Sequence, residues 1–271
     1  MNERYLKQKA NQIRRDIITI LAEAGSGHTA GPLDLADIFT ALYFGPVINF
    51  RPKQPSWPER DRVILSCGHV NPVYYATLAH AGYFPVSELK TLRKFGSRLQ
   101  GHPDRLLLAG VETSSGPLGQ GLSQAIGMAL AARLDKAKYQ VYAILSDGEH
   151  DEGQTWEAIM LAAKYKLDNL TVIIDRNNMQ IDGSTENVMP LDSLAEKYRA
   201  FNWHVIEVDG HNISGIIDAC DEAKAINEQP VVIIAYTIPG KGVSFIEGDY
   251  RWHGKVPKPE EARLALKELG K

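Results

Sequence analysis

Two apolar runs that both end in polar turns constrain this chain most. Val141-Tyr142-Ala143-Ile144-Leu145 runs into Ser146-Asp147-Gly148-Glu149, and Leu170-Thr171-Val172-Ile173-Ile174 runs into Asp175-Arg176-Asn177-Asn178-Met179. Runs of this length read as buried strands, and the helix-length segment between them makes the pair a βαβ unit with parallel strands. Parallel strands end on one edge, and in open α/β sheets that edge is where ligands bind. Asp147 and Asn177 are therefore expected side by side. A carboxylate, an amide oxygen and a free main-chain carbonyl are hard ligands that suit Mg²⁺ or Ca²⁺, with phosphate oxygens and water completing the shell. The pair predicts a metal-held diphosphate.

The same alternation runs along the chain. Strand patterns at 62–65, 141–146, 170–175, 204–208 and 231–236 are interleaved with helical patterns at 118–133, 153–166, 191–201 and 213–226. This predicts an α/β fold, a doubly wound and mainly parallel sheet with helices on both faces. Leu6, Ala10, Ile13, Ile17 and Leu21 form a helical stripe over 3–24, which Gly25-Ser26-Gly27-His28 ends. Pro32 permits a further helix through Leu35, Ile38, Phe39 and Leu42, Asn71-Pro72 starts another through Tyr75 and Leu78, and 259–269 reads as a last amphipathic helix. The stretch 46–58, with Pro46, Pro52, Pro55 and Pro58, reads as a loop. Ala125, Gly127, Ala129, Ala131 and Ala132 suit the helix over 118–133 to close packing against another backbone. With no repeat or linker in view, residues 1–271 read as a single domain.

Charge and cysteine usage exclude some classes. A net charge of −3 gives no basic footprint for nucleic acid. No apolar stretch approaches the roughly 18 residues of a membrane span, and no leader pattern opens the chain. Cys67 and Cys220 lack metal-like spacing and read as buried free thiols of a reducing compartment, so the expected location is cytoplasmic.

Further candidates cluster around glycine. His28, His69, His102 and His253, four of the eight histidines, each adjoin a glycine, which favours one shared pocket where imidazoles bind phosphate and relay protons. Zinc would be the rival, but no close His/Cys spacing supports it. Gly148 would let a backbone N–H approach a phosphate, and a helix beginning near Gly153 would add its positive end. No Gly-Lys-Ser/Thr follows, so the turn is not a P-loop. Ser115-Gly116-Pro117-Leu118-Gly119-Gln120-Gly121 is either a loop tightened for helix packing or one whose backbone touches a flat heterocycle. Glu152 and Glu157 suit the start of a helix on dipole grounds alone.

Taken in order, these segments resemble transketolase. Asp147-Gly148 with Asn177 looks like the thiamine diphosphate signature, with Ser146 where the family usually has glycine. Gly25-Ser26-Gly27-His28, Leu65-Ser66-Cys67-Gly68-His69, Gly101-His102-Pro103, the segment from Gly116 to Gly121, and Pro239-Gly240-Lys241-Gly242-Val243-Ser244-Phe245 extend the likeness over nearly the whole chain. The resemblance implies the thiamine diphosphate-binding fold, specifically its diphosphate-binding domain. It implies that Asp147, Asn177 and the main-chain carbonyl of Met179 ligate Mg²⁺, with Ca²⁺ as a substitute. Gly148 and Asn177 would touch the diphosphate, joined by His69 and His253, while Gly116 and Leu118 would meet the aminopyrimidine side. His28, His102 and His253 would line the substrate channel and handle hydroxyl protons, and Glu152 and Glu157 would belong to a subunit contact. The implied reaction moves a two-carbon ketol unit from a ketose or its phosphate to an aldose or its phosphate, with pentose phosphates as the family default.

Transketolases carry a second half that is absent from these residues. It holds the pyrimidine-binding domain, the glutamate that protonates the aminopyrimidine, and most arginines for the sugar phosphate. The chain is therefore expected to be the amino-terminal subunit of a split transketolase. It would be inactive until paired with a separate carboxy-terminal subunit, in a two-plus-two heterotetramer. The Met1 start and short tail fit a complete gene product. The alternatives are a subunit of another thiamine diphosphate enzyme, such as a deoxyxylulose phosphate synthase or a 2-oxoacid dehydrogenase, or a non-catalytic cofactor-binding partner.

Overall fold

The computed structural model describes residues 2–270; Met1 and Lys271, the two ends of the domain assigned above, lie outside the described residues. The strands are β1 (Arg62–Leu65), β2 (Val141–Ser146), β3 (Leu170–Arg176), the two-residue strands β4 (Met179–Gln180) and β5 (Gly183–Ser184), β6 (His204–Asp209) and β7 (Val231–Tyr236). Five of them form a parallel sheet in the order β1-β2-β3-β7-β6, and β4 pairs with β5 as a small antiparallel hairpin. The helices are α1 (Glu3–Ala24), α2 (Ala30–Asp34), α3 (Ala36–Phe44), α4 (Asn71–Ala81), α5 (Gln120–Leu134), α6 (Gly153–Lys164), α7 (Thr185–Val188), α8 (Leu194–Ala200), α9 (Ile213–Ala225) and α10 (Pro259–Glu268). The α/β class, the parallel sheet and its two covered faces are as the sequence pattern predicts.

A parallel strand buried on both faces needs apolar side chains at every position, which is why β2 and β3 read as unbroken apolar runs. Tyr142 and Ile144 of β2 point into a core shared with α1, α3, α4 and α9, whereas Val141, Ala143 and Leu145 point into the other, shared with α5, α6 and α8. Chain direction and handedness place those helices. The steps β1 to β2, β2 to β3 and β3 to β6 advance across the sheet through α5, α6 and α8. The step from β6 to β7 runs back, so a right-handed crossover puts α9 on the opposite face. Each fully buried Ile or Leu in these layers contributes about 1.5–3 kcal/mol of transfer free energy.

Local chemistry corrects several expected boundaries. The helix expected through Pro32 to Leu42 is two helices that meet at Leu35, where ψ opens to −7; Pro32 lies inside α2. Helix α5 starts at Gln120 rather than 118, because Gly119 holds a left-handed φ of +79 that no helix can include. Helix α8 starts at Leu194 rather than 191, where the Ser193 hydroxyl accepts the Glu196 N–H as an N-cap. Short 3₁₀ turns at Gly68–Val70, Val86–Thr91, Gly148–Asp151 and Tyr250–Trp252, and the β4–β5 hairpin, carry too little periodicity for the sequence to reveal. Among the described residues no helix is long and apolar enough to cross a membrane.

Close approach of α5 to the sheet depends on one glycine. A Cβ on Gly121 would lie 2.5 Å from Ser66 Cβ and 2.6 Å from its Cα. Gly127, on the same helix, has nothing within 4 Å of that position. The small-residue character of α5 is thus put to use at Gly121, and Ala125, Ala129 and Ala132 on the same helix are fully buried.

Candidate active site

The register of β2 against β3, Ser146 opposite Asp175, brings the two polar turns together at the carboxyl edge. Asp147 is fully buried. Its Oδ1 accepts the Gly148 N–H at 2.8 Å, and its Oδ2 accepts the Asn178 N–H at 2.7 Å and Arg176 Nη1 at 3.2 Å. Burial raises the Asp147 carboxyl to about 6, against the pull of Arg176 and the two amides. Asn177 Oδ1 accepts the Met179 N–H at 2.9 Å, and its Nδ2 donates to Asp34 Oδ2 at 3.2 Å and Asp175 Oδ2 at 3.0 Å.

Asp34 and Asp175 were not singled out from the sequence, yet both are buried at this edge. Burial, then the neighbouring carboxylates, push both well above the usual carboxylate range, while the Asn177 amide opposes the shift at each. Arg176 is the buried cation bonded to this edge, and it also reaches Glu186 at 2.8 Å and Asp192 at 2.9 Å. Asp34 Oδ1 is buried without a hydrogen-bond partner. The cluster therefore holds more potential negative charge than its own cation balances.

Above this edge lies a cavity of about 260 Å³. His28, His69, His102 and His253 all line it, with Gly116, Leu118, Gly148, Asn177 and Met179. Ring centroids of His28 and His69 are 5.0 Å apart, those of His28 and His253 5.4 Å, and those of His69 and His253 5.3 Å. Four histidines far apart in the chain thus share one pocket. Burial, then the positive ends of His253 and Arg93, lower His28 to about 4, and burial lowers His69, His102 and His253 as well. The shift favours the neutral imidazole, which can accept or donate a hydrogen bond.

One further expectation changes. A 3₁₀ turn, Gly148–Asp151, separates Asp147 from α6, so Gly148, rather than the N-terminus of α6 at Gly153, faces the cavity. A Cβ on Gly148 would meet Gln180 Cβ at an ordinary 3.5 Å, and one on Gly116 would meet the His102 ring at 3.8 Å. The fold's own atoms do not demand glycine at either place, so both leave space beside the cavity. Glu152 and Glu157 are exposed and do not line it.

Glu149 stands in the opening motif but received no role from the sequence. It is fully buried, and its Oε1 accepts the Gly119 N–H at 2.5 Å and the Ser66 hydroxyl, while its Oε2 accepts the Ser146 N–H at 3.3 Å. Ser66 Oγ accepts in turn the Gly121 N–H at 3.1 Å. One carboxylate thus ties the ends of β1 and β2 to the loop that carries Gly116 and Leu118. The tip of the β4–β5 hairpin adds Gln180 and Ile181 to the lining. No three His, Cys, Asp or Glu side chains among the described residues come together as a metal site. The candidate set at Asp147, Asn177 and the Met179 carbonyl is instead of mixed oxygen type.

A doubly wound sheet with a histidine-lined cavity at its carboxyl edge defines a cofactor-binding α/β protein. Residues 6–271 match the family described as "Transketolase, thiamine diphosphate binding domain". The chain belongs to the transketolase family, of which it is the thiamine diphosphate-binding domain. It is 44% identical to a 6-deoxy-6-sulfo-D-fructose transketolase subunit of Clostridium sp. (strain MSTE9), over 98% of this chain and 96% of that protein. It is 44% identical to an apulose-4-phosphate transketolase subunit of Actinobacillus succinogenes, over 97% of this chain and 95% of that one. Among solved structures, the transketolase of Campylobacter jejuni superposes with a TM-score of 0.93 at 33% identity, over 100% of this chain and 43% of that chain. The chain thus spans less than half of the single-chain transketolase and nearly all of the two subunit proteins.

Proposed function

We propose that this chain, acting as one domain, is the amino-terminal subunit of a transketolase built from two kinds of polypeptide. It would hold the Mg²⁺-diphosphate end of thiamine diphosphate and, with a separate carboxy-terminal subunit, transfer a two-carbon ketol unit from a ketose to an aldose. The observation that carries the proposal is the shared cavity. One space of about 260 Å³ is lined by four histidines, three glycines and Asn177, beside the Asp147 turn at Gly148. The match in length to relatives named as subunits supports a two-chain assembly, and a two-plus-two heterotetramer is the form we propose. Exposed Glu152 and Glu157 would lie at a subunit contact.

The residues present fit the cofactor. Asp147, Asn177 Oδ1 and the Met179 carbonyl are hard oxygen ligands, suited to Mg²⁺ with Ca²⁺ as a substitute. A divalent ion would favour the ionised forms of the Asp34, Asp147 and Asp175 carboxyls, which burial opposes. His28 Nδ1 is buried without a hydrogen-bond partner, ready for a ligand. Gly148 and Asn177, with His69 and His253 as neutral hydrogen-bonding groups, would receive the diphosphate, and Gly116 with Leu118 the aminopyrimidine side. Bound there, thiamine diphosphate would supply a carbanion equivalent at its thiazolium carbon.

His28, His102 and His253 would take and return the hydroxyl protons of the sugar. Their lowered pKa values leave the ring nitrogens free to accept, and such acid–base assistance is worth about 10²–10⁴-fold in rate. Sugar phosphates are the proposed substrate class; the names of the two subunit relatives, one a sulfo sugar and one a sugar phosphate, support an anionic ketose. Buried free Cys67 and Cys220 fit the proposed cytoplasmic location.

Calorimetric titration of thiamine diphosphate into the chain, with and without Mg²⁺, tests the assignment. Asp147→Ala should abolish the Mg²⁺-dependent part of binding. Unchanged affinity in that variant would remove Asp147 from the metal site.

A further inference from the structure

Beneath the Asp147 turn sits a histidine that none of the roles above uses. His150 is 2% exposed, and its Nδ1 lies 3.1 Å from the Ser146 carbonyl and 3.0 Å from the Asp147 carbonyl. A carbonyl has no hydrogen to give, so Nδ1 carries the proton and shares it between the two oxygens. Nε2 is left as the acceptor, and the buried Tyr198 hydroxyl, 2.8 Å away, donates to it. The His150 main chain is held as well. Its N–H donates to the Asp147 carbonyl at 2.9 Å, and its carbonyl accepts the Trp156 indole N–H at 2.8 Å.

The two carbonyls that His150 grips belong to the peptide planes on either side of the Asp147 Cα. Two fixed planes leave that residue no freedom in φ or ψ, here −66 and −47, and so fix the direction of its Cα–Cβ bond. Tyr198 comes from α8 and Trp156 from α6, with ring centroids 5.7 Å from His150 in each case. The turn at the carboxyl edge is thereby braced against two helices of one face of the sheet.

We infer that His150 is a positioning residue for the candidate metal centre: it sets the aim of the Asp147 carboxylate through both flanking peptide planes, and Tyr198 holds the far nitrogen of its ring. The inference rests on the proposed Mg²⁺ role of Asp147. Partners that orient a metal ligand without touching the ion commonly govern affinity by about 10–100-fold. A histidine that merely filled the core would contribute stability alone.

The two ring nitrogens can be mimicked separately, which divides these cases. In His150→Asn the side-chain amide N–H falls near the place of Nδ1 and can keep the two carbonyls. In His150→Gln the amide reaches the place of Nε2 and keeps Tyr198 but abandons the carbonyls. The measurements are the Mg²⁺ concentration that half-saturates thiamine diphosphate binding to the full chain, by calorimetry, and the thermal midpoint. Both substitutions should lower the midpoint, because each removes a packed ring. The Gln variant should need about tenfold more Mg²⁺, and the Asn variant should stay within about threefold of the original.

Equal Mg²⁺ requirements in the two variants, or a requirement that simply follows the midpoint, would overturn the inference. Tyr198→Phe removes a single oxygen and guards against a failure of both variants to fold. It should raise the Mg²⁺ requirement with little loss of midpoint, and an unchanged requirement would overturn the part given to Tyr198 in holding the ring. If the unsubstituted chain showed no Mg²⁺-dependent binding at all, the cofactor assignment would fall first and the inference with it.

Discussion

Replacing Gly121 by alanine should destabilise the protein, while the same change at Gly127, further along α5, should not. A Cβ at Gly121 would sit 2.5 Å from Ser66 Cβ and Oγ and 2.6 Å from Ser66 Cα. Ordinary contact begins near 3.4 Å, so α5 and β1 would have to part by close to 1 Å. No rotamer relieves a clash with a backbone atom, and overpacking of this kind costs about 1–3 kcal/mol. The gain of alanine over glycine in a helix, about 1 kcal/mol in the interior and less in the first turn, offsets only part of it. Ser66 Oγ also accepts the Gly121 N–H and donates to Glu149, so the displacement strains that network too. A net loss of about 1–2 kcal/mol lowers the thermal midpoint by roughly 2–8 °C for a chain of this size. Gly127→Ala meets nothing within 4 Å and should gain about 0.5–1 kcal/mol. Differential scanning calorimetry of the two variants side by side measures the contrast. Equal shifts, or a stabilised Gly121→Ala, would refute the claim that α5 rests on the sheet through that glycine.

Two other outcomes follow from burial. His28 is lowered from 6.5 to about 4, so between those values the unfolded chain binds more protons than the folded one. Stability then falls as pH drops from 6.5 toward 4, and His28→Asn should flatten that slope in denaturant unfolding; superimposable slopes would contradict the burial of a neutral ring. Burial also pushes the Cys220 thiol up to about 12 and the Cys67 thiol well above its usual value. Neither should react with a thiol reagent at neutral pH until denaturant is added, and a rapid stoichiometric reaction in the native protein would show that one of them is accessible.

The sheet was legible because parallel strands buried on both faces must be apolar throughout, and the runs ending at Leu145 and Ile174 have no other reading at that length. The edge position of Asp147 and Asn177 followed from the same two runs. The shared pocket of four histidines was legible through their glycine neighbours alone, although their spacing from residue 28 to 253 gives no geometric clue. Their downward pKa shift was not legible, since it comes from burial, which only the fold creates. Asp34 escaped notice for a related reason: it sits in a short apolar helix, and α2 alone brings it to Asn177. Glu149 was in plain view as an acid after a turn, the usual sign of a solvated helix start, and its burial depends on Ser66 and Gly119 arriving from distant parts of the chain. The β4–β5 hairpin, with two residues per strand, is too short for any period to show.

The central claim is that this chain supplies the metal-diphosphate half of a site that a second polypeptide completes. A ketol-transfer assay with ketose donors and aldose acceptors, in the presence of Mg²⁺ and thiamine diphosphate, tests it most directly. The chain should be run alone and then with its co-expressed carboxy-terminal partner. The account predicts negligible turnover from the chain alone and full turnover from the mixture, lost again when the chain carries Asp147→Ala. Full activity from the purified chain without any partner would contradict it.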